Sequence, residues 1–277
     1  MGNHHHHHHR SGHYTDYNIS GAITTTTTAP PASGVWTALA EGKAPVVRTL
    51  LNELCSGVRS SLLNSLQPCG LTPLCLAVAC DLKEALPVLL EKGACVRTYS
   101  EDGLGPLHLA ALRGAPPLVN RLLSAGASWT DGLERDTMTP LECAMFSSHQ
   151  EVTDMAVAQL QHLQQHLSRR LLQLLHARLL FAAVRADVKN DRSSEGKESR
   201  VVTPSVVTRL VKRGGVDVNL RSSPHGNTAL HHALMLRSQA VVRNLIELNA
   251  DDDICNTRGC SPQLIARLAG ISLAADK

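Results

Sequence analysis

The sequence predicts an all-α solenoid of stacked helix-turn-helix units, with one atypical unit carrying an extended helix and a charged loop. Three observations carry this. Aromatic residues make up only 3% of the 277, so the core must be built from Leu, Ala and Val, which suit thin, closely packed helices better than strands. A nine-residue pattern at 70–78 (GLTPLCLAV) returns 33 positions later at 103–111 (GLGPLHLAA). The second half of each unit recurs as well, at 88–94 (VLLEKGA), 121–127 (RLLSAGA) and 244–250 (NLIELNA).

The first unit, residues 35–51, reads as a helix pair of capping type that lacks a Thr-Pro entry. In later units Thr72 and Thr139 cap a helix through the hydroxyl, and Pro73 and Pro140 take the first helical position, where a missing N–H costs nothing. Leu74, Leu107, Leu141 and Leu230 then point inward, while small pairs such as Ala110 and Ala111 let the next unit's helix approach closely. Gly114, or Asp81 in its place, turns the chain into a second helix, and Gly93 and Gly126 supply left-handed stops. Two further entries follow, at 138–145 (MTPLECAM) and 226–234 (GNTALHHAL), and a last one at 259–266 (GCSPQLIA) ends after one helix. Gly105 stands where a capping Thr is expected, Ala229 where a Pro is expected, and Pro87 falls inside a second helix that it should kink or shorten.

The array is interrupted over 150–202. Val152, Met155, Leu160, Leu163, Leu167, Leu171 and Leu174 keep a helical spacing, and an unbroken helix over 150–188 would run about 58 Å. Consecutive units require the chain to reverse, so a break is expected near Ser168, Arg169 and Arg170. Residues 178–184 (RLLFAAV) then serve as a degenerate first helix and 203–219 as its second helix and exit. Between them, residues 187–200 (DVKNDRSSEGKESR) are charged and Ser-rich, which predicts a mobile loop, either a regulatory insert or tolerated length.

A period of 33 with T-P-L-H-x-A resembles the ankyrin-repeat family, over about residues 35–270. The domain organisation is then a tag and disordered linker over 1–34, with His4–His9 as the tag, and an ankyrin-repeat domain over 35–277 of about six units plus a partial last one. The resemblance implies recognition of a partner protein or peptide through a concave face of turn tips and exposed first-helix ends. Carried over position by position, the turn contacts are Tyr99, Ser100, Glu101, Asp102 and Leu104; Asp131, Leu133, Glu134, Arg135, Asp136 and Met138; Arg221, Ser222, His225 and Asn227; Thr257 and Arg258. The first helices contribute Leu112, Arg113, Phe146, Ser147, Met235 and Leu236. The earlier turns are acidic and the later ones basic, which suits a protein of complementary charge, and Tyr99, Leu133, Phe146 and Met235 are the exposed anchors expected.

Catalysis finds no support in the sequence: there is no nucleophile beside a base, no Gly-rich phosphate loop and no cofactor motif, so neither enzyme activity, cofactor nor metal is expected. His231 and His232 are adjacent and diverge on a helix, Cys255 and Cys260 are two thiols without further ligands, and His162 and His166 at i, i+4 lack a third. By the resemblance, His108 and His231 are structural hydrogen bonders to a neighbouring turn. The net charge of +3 is not gathered in one block, so no nucleic-acid partner is expected, and the apolar runs at 74–80 and 179–184 fall far short of the roughly 18 residues of a membrane span. Eight scattered cysteines without C-x-x-C read as free, buried thiols in a reducing compartment, placing the protein inside the cell, cytoplasmic or nuclear. Two alternatives stay open: a substrate-recruiting or regulatory subunit of a larger enzyme assembly such as a ubiquitin ligase adaptor, and a hydrolase or metal enzyme within 150–202.

Overall fold

Capped entries and left-handed exits cut the chain into short helices that bury an apolar stripe only against one another. The computed structural model describes residues 32–66, 70–135, 137–147, 149–194, 205–222 and 224–273. Among these are fourteen α-helices and no strand. They form pairs α1 (Ala32–Ala40) with α2 (Ala44–Glu53), α4 (Pro73–Ala79) with α5 (Ala85–Glu91), and α6 (Pro106–Arg113) with α7 (Pro116–Ser124). The series continues with α8 (Pro140–Ser147) and α9 (Gln150–Leu163), α10 (Arg169–Ser194) and α11 (Val206–Lys212), α12 (Ala229–Met235) and α13 (Gln239–Glu247), and ends on α14 (Pro262–Ala269). A short helix α3 (Ser56–Asn64), which the repeat does not announce, lies between the first two pairs.

The first helices α1, α4, α6, α8, α10, α12 and α14 form a continuous row, each touching the next. Small side chains make the approach possible: Ala77, Ala110, Ala111, Ala144, Ala183 and Ala233 have no exposed surface. The rest of the core is Leu and Val, with Trp129 the buried aromatic among the described residues. Thr72 Oγ1 accepts from the Cys75 amide at 3.3 Å and Thr139 Oγ1 from the Glu142 amide at 3.3 Å, so the Thr entries are caps. The first helices α4, α6 and α12 are each followed by a residue of positive φ, Asp81 (56°), Gly114 (66°) and Arg237 (55°). Neighbouring turns are tied by single backbone bonds, Glu101 N to Gly70 O and Thr257 N to His225 O, both 3.0 Å.

Two expectations change and one holds. Pro87 is the third residue of α5, where its nitrogen has no carbonyl to meet, so the helix starts late and short but is not kinked. The break near Ser168 is present, between the end of α9 and the start of α10. The loop expected from Asp187 begins later, however, because α10 continues to Ser194; residues 195–200 lie outside the described ones. The physical reason is that the charged residues there close helix ends. The Asp187 carboxylate accepts from the Val206 and Val207 amides at 2.9 and 3.0 Å and from the Ser205 hydroxyl, capping α11, while Asp191 accepts from the Ser238 hydroxyl at 2.8 Å. Burial raises the Asp187 carboxyl above its ordinary range, against the pull of Ser205 and the two amides.

The described cysteines are thiols outside any disulfide, but only Cys75 and Cys143 are buried; Cys55, Cys95 and Cys255 are exposed, which corrects the expectation of buried thiols, and Cys69 lies outside the described residues. Burial pushes both core thiols up, Cys75 to about 11. None of the described helices is long and apolar enough to cross a membrane.

Gly114 combines a φ of +66° with a neighbour that a Cβ would meet at 2.0 Å on Cγ and 2.5 Å on Cβ of His149, and side-chain rotation cannot move the latter. Gly114→Ala is therefore expected to lose about 2 kcal/mol or more in urea denaturation. Gly57, helical and with nothing within 4 Å of an added Cβ, is the contrast: Gly57→Ala should be neutral or gain up to about 1 kcal/mol.

Candidate protein-binding surface

Four of the first helices, α4, α6, α8 and α12, carry one polar side chain near the start that reaches the next unit. His108 takes the Gly105 amide on Nδ1 at 3.1 Å and holds the Met138 carbonyl with Nε2 at 2.8 Å, so the histidine supplies the N-terminal closure that Gly105 cannot. His231 does the same with the Thr228 amide at 3.1 Å and the Cys260 carbonyl at 3.0 Å. Cys75 Sγ points to the Leu104 carbonyl at 3.9 Å. At the fourth such position stands Glu142, because the unit that follows brings a helix rather than a turn: Arg178 of α10 donates to both carboxylate oxygens at 2.8 and 2.7 Å and to the Thr137 carbonyl at 2.5 Å. The same carboxylate accepts from the Thr139 amide at 2.7 Å, and only 11% of its side chain is exposed.

These rungs position the turns, and the turns sort the expected contact residues. Leu104 and Leu133 are buried at 1% and 4% exposure, which overturns both as contact positions; each folds back under its own turn into the core. Ser100 is also buried, its hydroxyl accepting the Leu104 amide at 3.2 Å to close the turn. Glu101, Asp102, Glu134, Arg135, Arg221, His225, Thr257 and Arg258 are exposed, and Asp136 lies outside the described residues. Tyr99 is half-buried beneath the Arg135 guanidinium, 4.2 Å from the ring centre, so two turns meet as a cation–π pair. Asp131 and Met138 are half-buried, the former accepting the Ser128 amide at 3.4 Å. Ser222 and Asn227 close their own turn, and Asn227 accepts from Asn256 at 2.9 Å.

On the first helices, Met235 is 51% exposed and Arg113 is exposed while donating to the Ala79 carbonyl at 2.6 Å. Leu112 and Leu236 are half-buried against the core, and Ser147 binds the Ala111 carbonyl at 3.0 Å. Phe146 is half-buried with the Lys189 ammonium 5.7 Å from its ring centre. A groove of about 460 Å³ opens beside these residues, lined by Arg185, Val188, Lys189, Arg192 and Leu236. Four of the five were missed because they lie at or beyond the expected end of the first helix; the i, i+3, i+4, i+7 spacing from Arg185 to Arg192 was the available signal.

Little converges toward catalysis. His231 faces the Cys260 carbonyl while His232 meets Phe181 edge-on at 4.3 Å, so the pair diverges as its spacing predicts. The His162 and His166 rings meet at a tilt, 4.6 Å between centres, but α9 ends at Leu163 and His166 lies in the turn beyond it. Among the described residues, the ligating groups that converge in a set of three or more are Asp251, Asp252 and Asp253, a turn cluster that includes none of the expected histidines or cysteines.

Residues 35–132 match the family described as Ankyrin repeats (3 copies), and residues 225–257 match Ankyrin repeat. The chain is similar to mouse NF-kappa-B inhibitor delta, 25% identical over 72% of this chain and 63% of that protein. It is also similar to human B-cell lymphoma 3 protein, 28% identical over 83% of this chain and 46% of that protein, so it spans about half to two thirds of these relatives. Among solved structures, the ankyrin repeat domain of Bcl-3 superposes with a TM-score of 0.59 at 23% identity, covering 87% of this chain and 95% of that one.

Two outcomes are expected from this geometry. Arg178→Met leaves the Glu142 carboxylate buried without its cation and should lower unfolding free energy by about 3 kcal/mol in urea titration. Burial, then the charge of Arg185, holds His232 at a pKa of about 4, below its ordinary value. Its contribution to stability is therefore present above pH 6.5 and lost as pH falls toward 4, so His232→Gln should flatten the decline in Tm over that window.

Proposed function

Because the chain belongs to the ankyrin-repeat family, we propose that it is a non-catalytic recognition module that binds a partner protein through the face formed by its turn tips and first-helix ends. The observation that carries this reading is the unbroken row of first helices, whose ends leave Arg113, Arg185 and Met235 exposed beside half-buried Phe146 and Leu236. Helices that touch only their neighbours display such a face without rearrangement, so little ordering entropy opposes binding. Met235 is the apolar anchor best supported by exposure, with Tyr99 and Phe146 contributing one ring face each beside a cation.

Selectivity follows charge. Glu101, Asp102 and Glu134 make the earlier turns acidic, whereas Arg221 and Arg258 make the later ones basic. One relative is named as an inhibitor of NF-kappa-B, and a regulatory role directed at another protein is what we assign here.

Affinity capture from cell lysate tests the reading. Met235→Glu should lose the partners recovered by the unaltered chain, and Glu101→Lys with Glu134→Lys should change which are recovered. Identical recovery by all three proteins would remove this face from the function, and recovery of ubiquitin-ligase scaffold subunits would favour the substrate-recruiting reading instead.

A further inference from the structure

We propose that the groove beside α10 is a docking site for an acidic peptide segment of a partner protein, in which two or more Asp or Glu residues flank an apolar side chain. The inference rests on the reading of this face as a protein-binding surface and names the chemistry of what binds there. Arg185, Lys189 and Arg192 project from one face of α10, with Val188 between them and Leu236 of the next unit opposite. The groove therefore has a narrow apolar floor and three cations around it.

Among the described residues, none of the three cations forms an ion pair. The two acidic residues of the same helical stretch are turned to other work, Asp187 on the Ser205 hydroxyl and the Val206 and Val207 amides and Asp191 on the Ser238 hydroxyl. Two of the cations are also held in place rather than splayed into solvent. Arg192 Nη2 donates to the Leu236 carbonyl at 2.9 Å, and the Lys189 ammonium stands over Phe146. Their neighbour His232 stays neutral at physiological pH, so it neither adds to nor offsets the charge.

Such an arrangement favours carboxylates presented at the spacing of a peptide. Charge-assisted hydrogen bonds to guanidinium and ammonium groups are stronger than neutral ones, and the apolar floor rewards a Leu or Ile between them. A nucleic-acid backbone fits less well, since three cations around an apolar slot give no extended basic track for successive phosphates.

The test is selection from a phage-displayed random dodecapeptide library on the full-length chain and on an Arg185→Glu, Lys189→Glu double variant, with Lys212→Glu on α11 as a control. Both altered groove residues are exposed, and matched thermal melts establish that the variants fold. Peptides enriched on the unaltered chain should carry at least two Asp or Glu around an apolar residue. As synthetic peptides in fluorescence anisotropy they should bind the double variant at least about tenfold more weakly and the control unchanged. Enrichment of neutral or basic peptides, binding indifferent to the double variant, or no enrichment would overturn the proposal, as would tighter binding of a single-stranded oligonucleotide that the double variant abolishes. If the double variant still captures every lysate partner that Met235→Glu loses, the groove assignment fails while the wider reading of the face stands.

Discussion

Everything in this molecule depends on how closely neighbouring first helices approach. A pair of helices of seven to nine residues cannot bury enough apolar surface to hold itself together, and isolated helices of that length are marginal in water. Stability comes from Ala77, Ala110, Ala111, Ala144, Ala183 and Ala233, which bring the backbones together so that Leu and Val between them lose contact with water. A larger side chain at any of these positions would push the units apart along the whole row, because the stack has no slack in which to absorb it. The low aromatic content suits the same geometry, which favours small side chains where the backbones approach.

The polar rungs show how the stack tolerates an irregular unit. Where the next unit offers a turn, a histidine or a cysteine reaches its carbonyl. Where the next unit offers a helix, the carbonyl is not there to reach, and Glu142 paired with Arg178 spans the gap instead. A buried ion pair is a poor source of net stability but a demanding geometric constraint. It fixes how far α10 lies along α8, and hence where the groove opens.

Most of the architecture was legible because the repeat encodes it locally. Thr72 and Thr139 announce helix starts by hydroxyl chemistry, and Gly114 and Asp81 announce reversals by their tolerance of positive φ. The candidate surface was less legible. Leu104 and Leu133 occupy turn positions, yet a turn can be lined from beneath, and no local pattern distinguishes a leucine that points out from one folded under. The groove was missed for a different reason: residues 187–194 have the composition of a solvated loop, and the contacts that anchor them as a helix, those of Asp187, Val188, Asp191 and Arg192, are long-range. Helix α3 was silent for want of any repeat to compare it with.

Asp187 has one more consequence. By gripping the first amides of α11 directly, it registers the second helix of its unit against the first. The start of α11 is thereby tied to the middle of α10 by a single side chain, so one carboxylate couples the two helices of this unit as a latch couples a door to its frame.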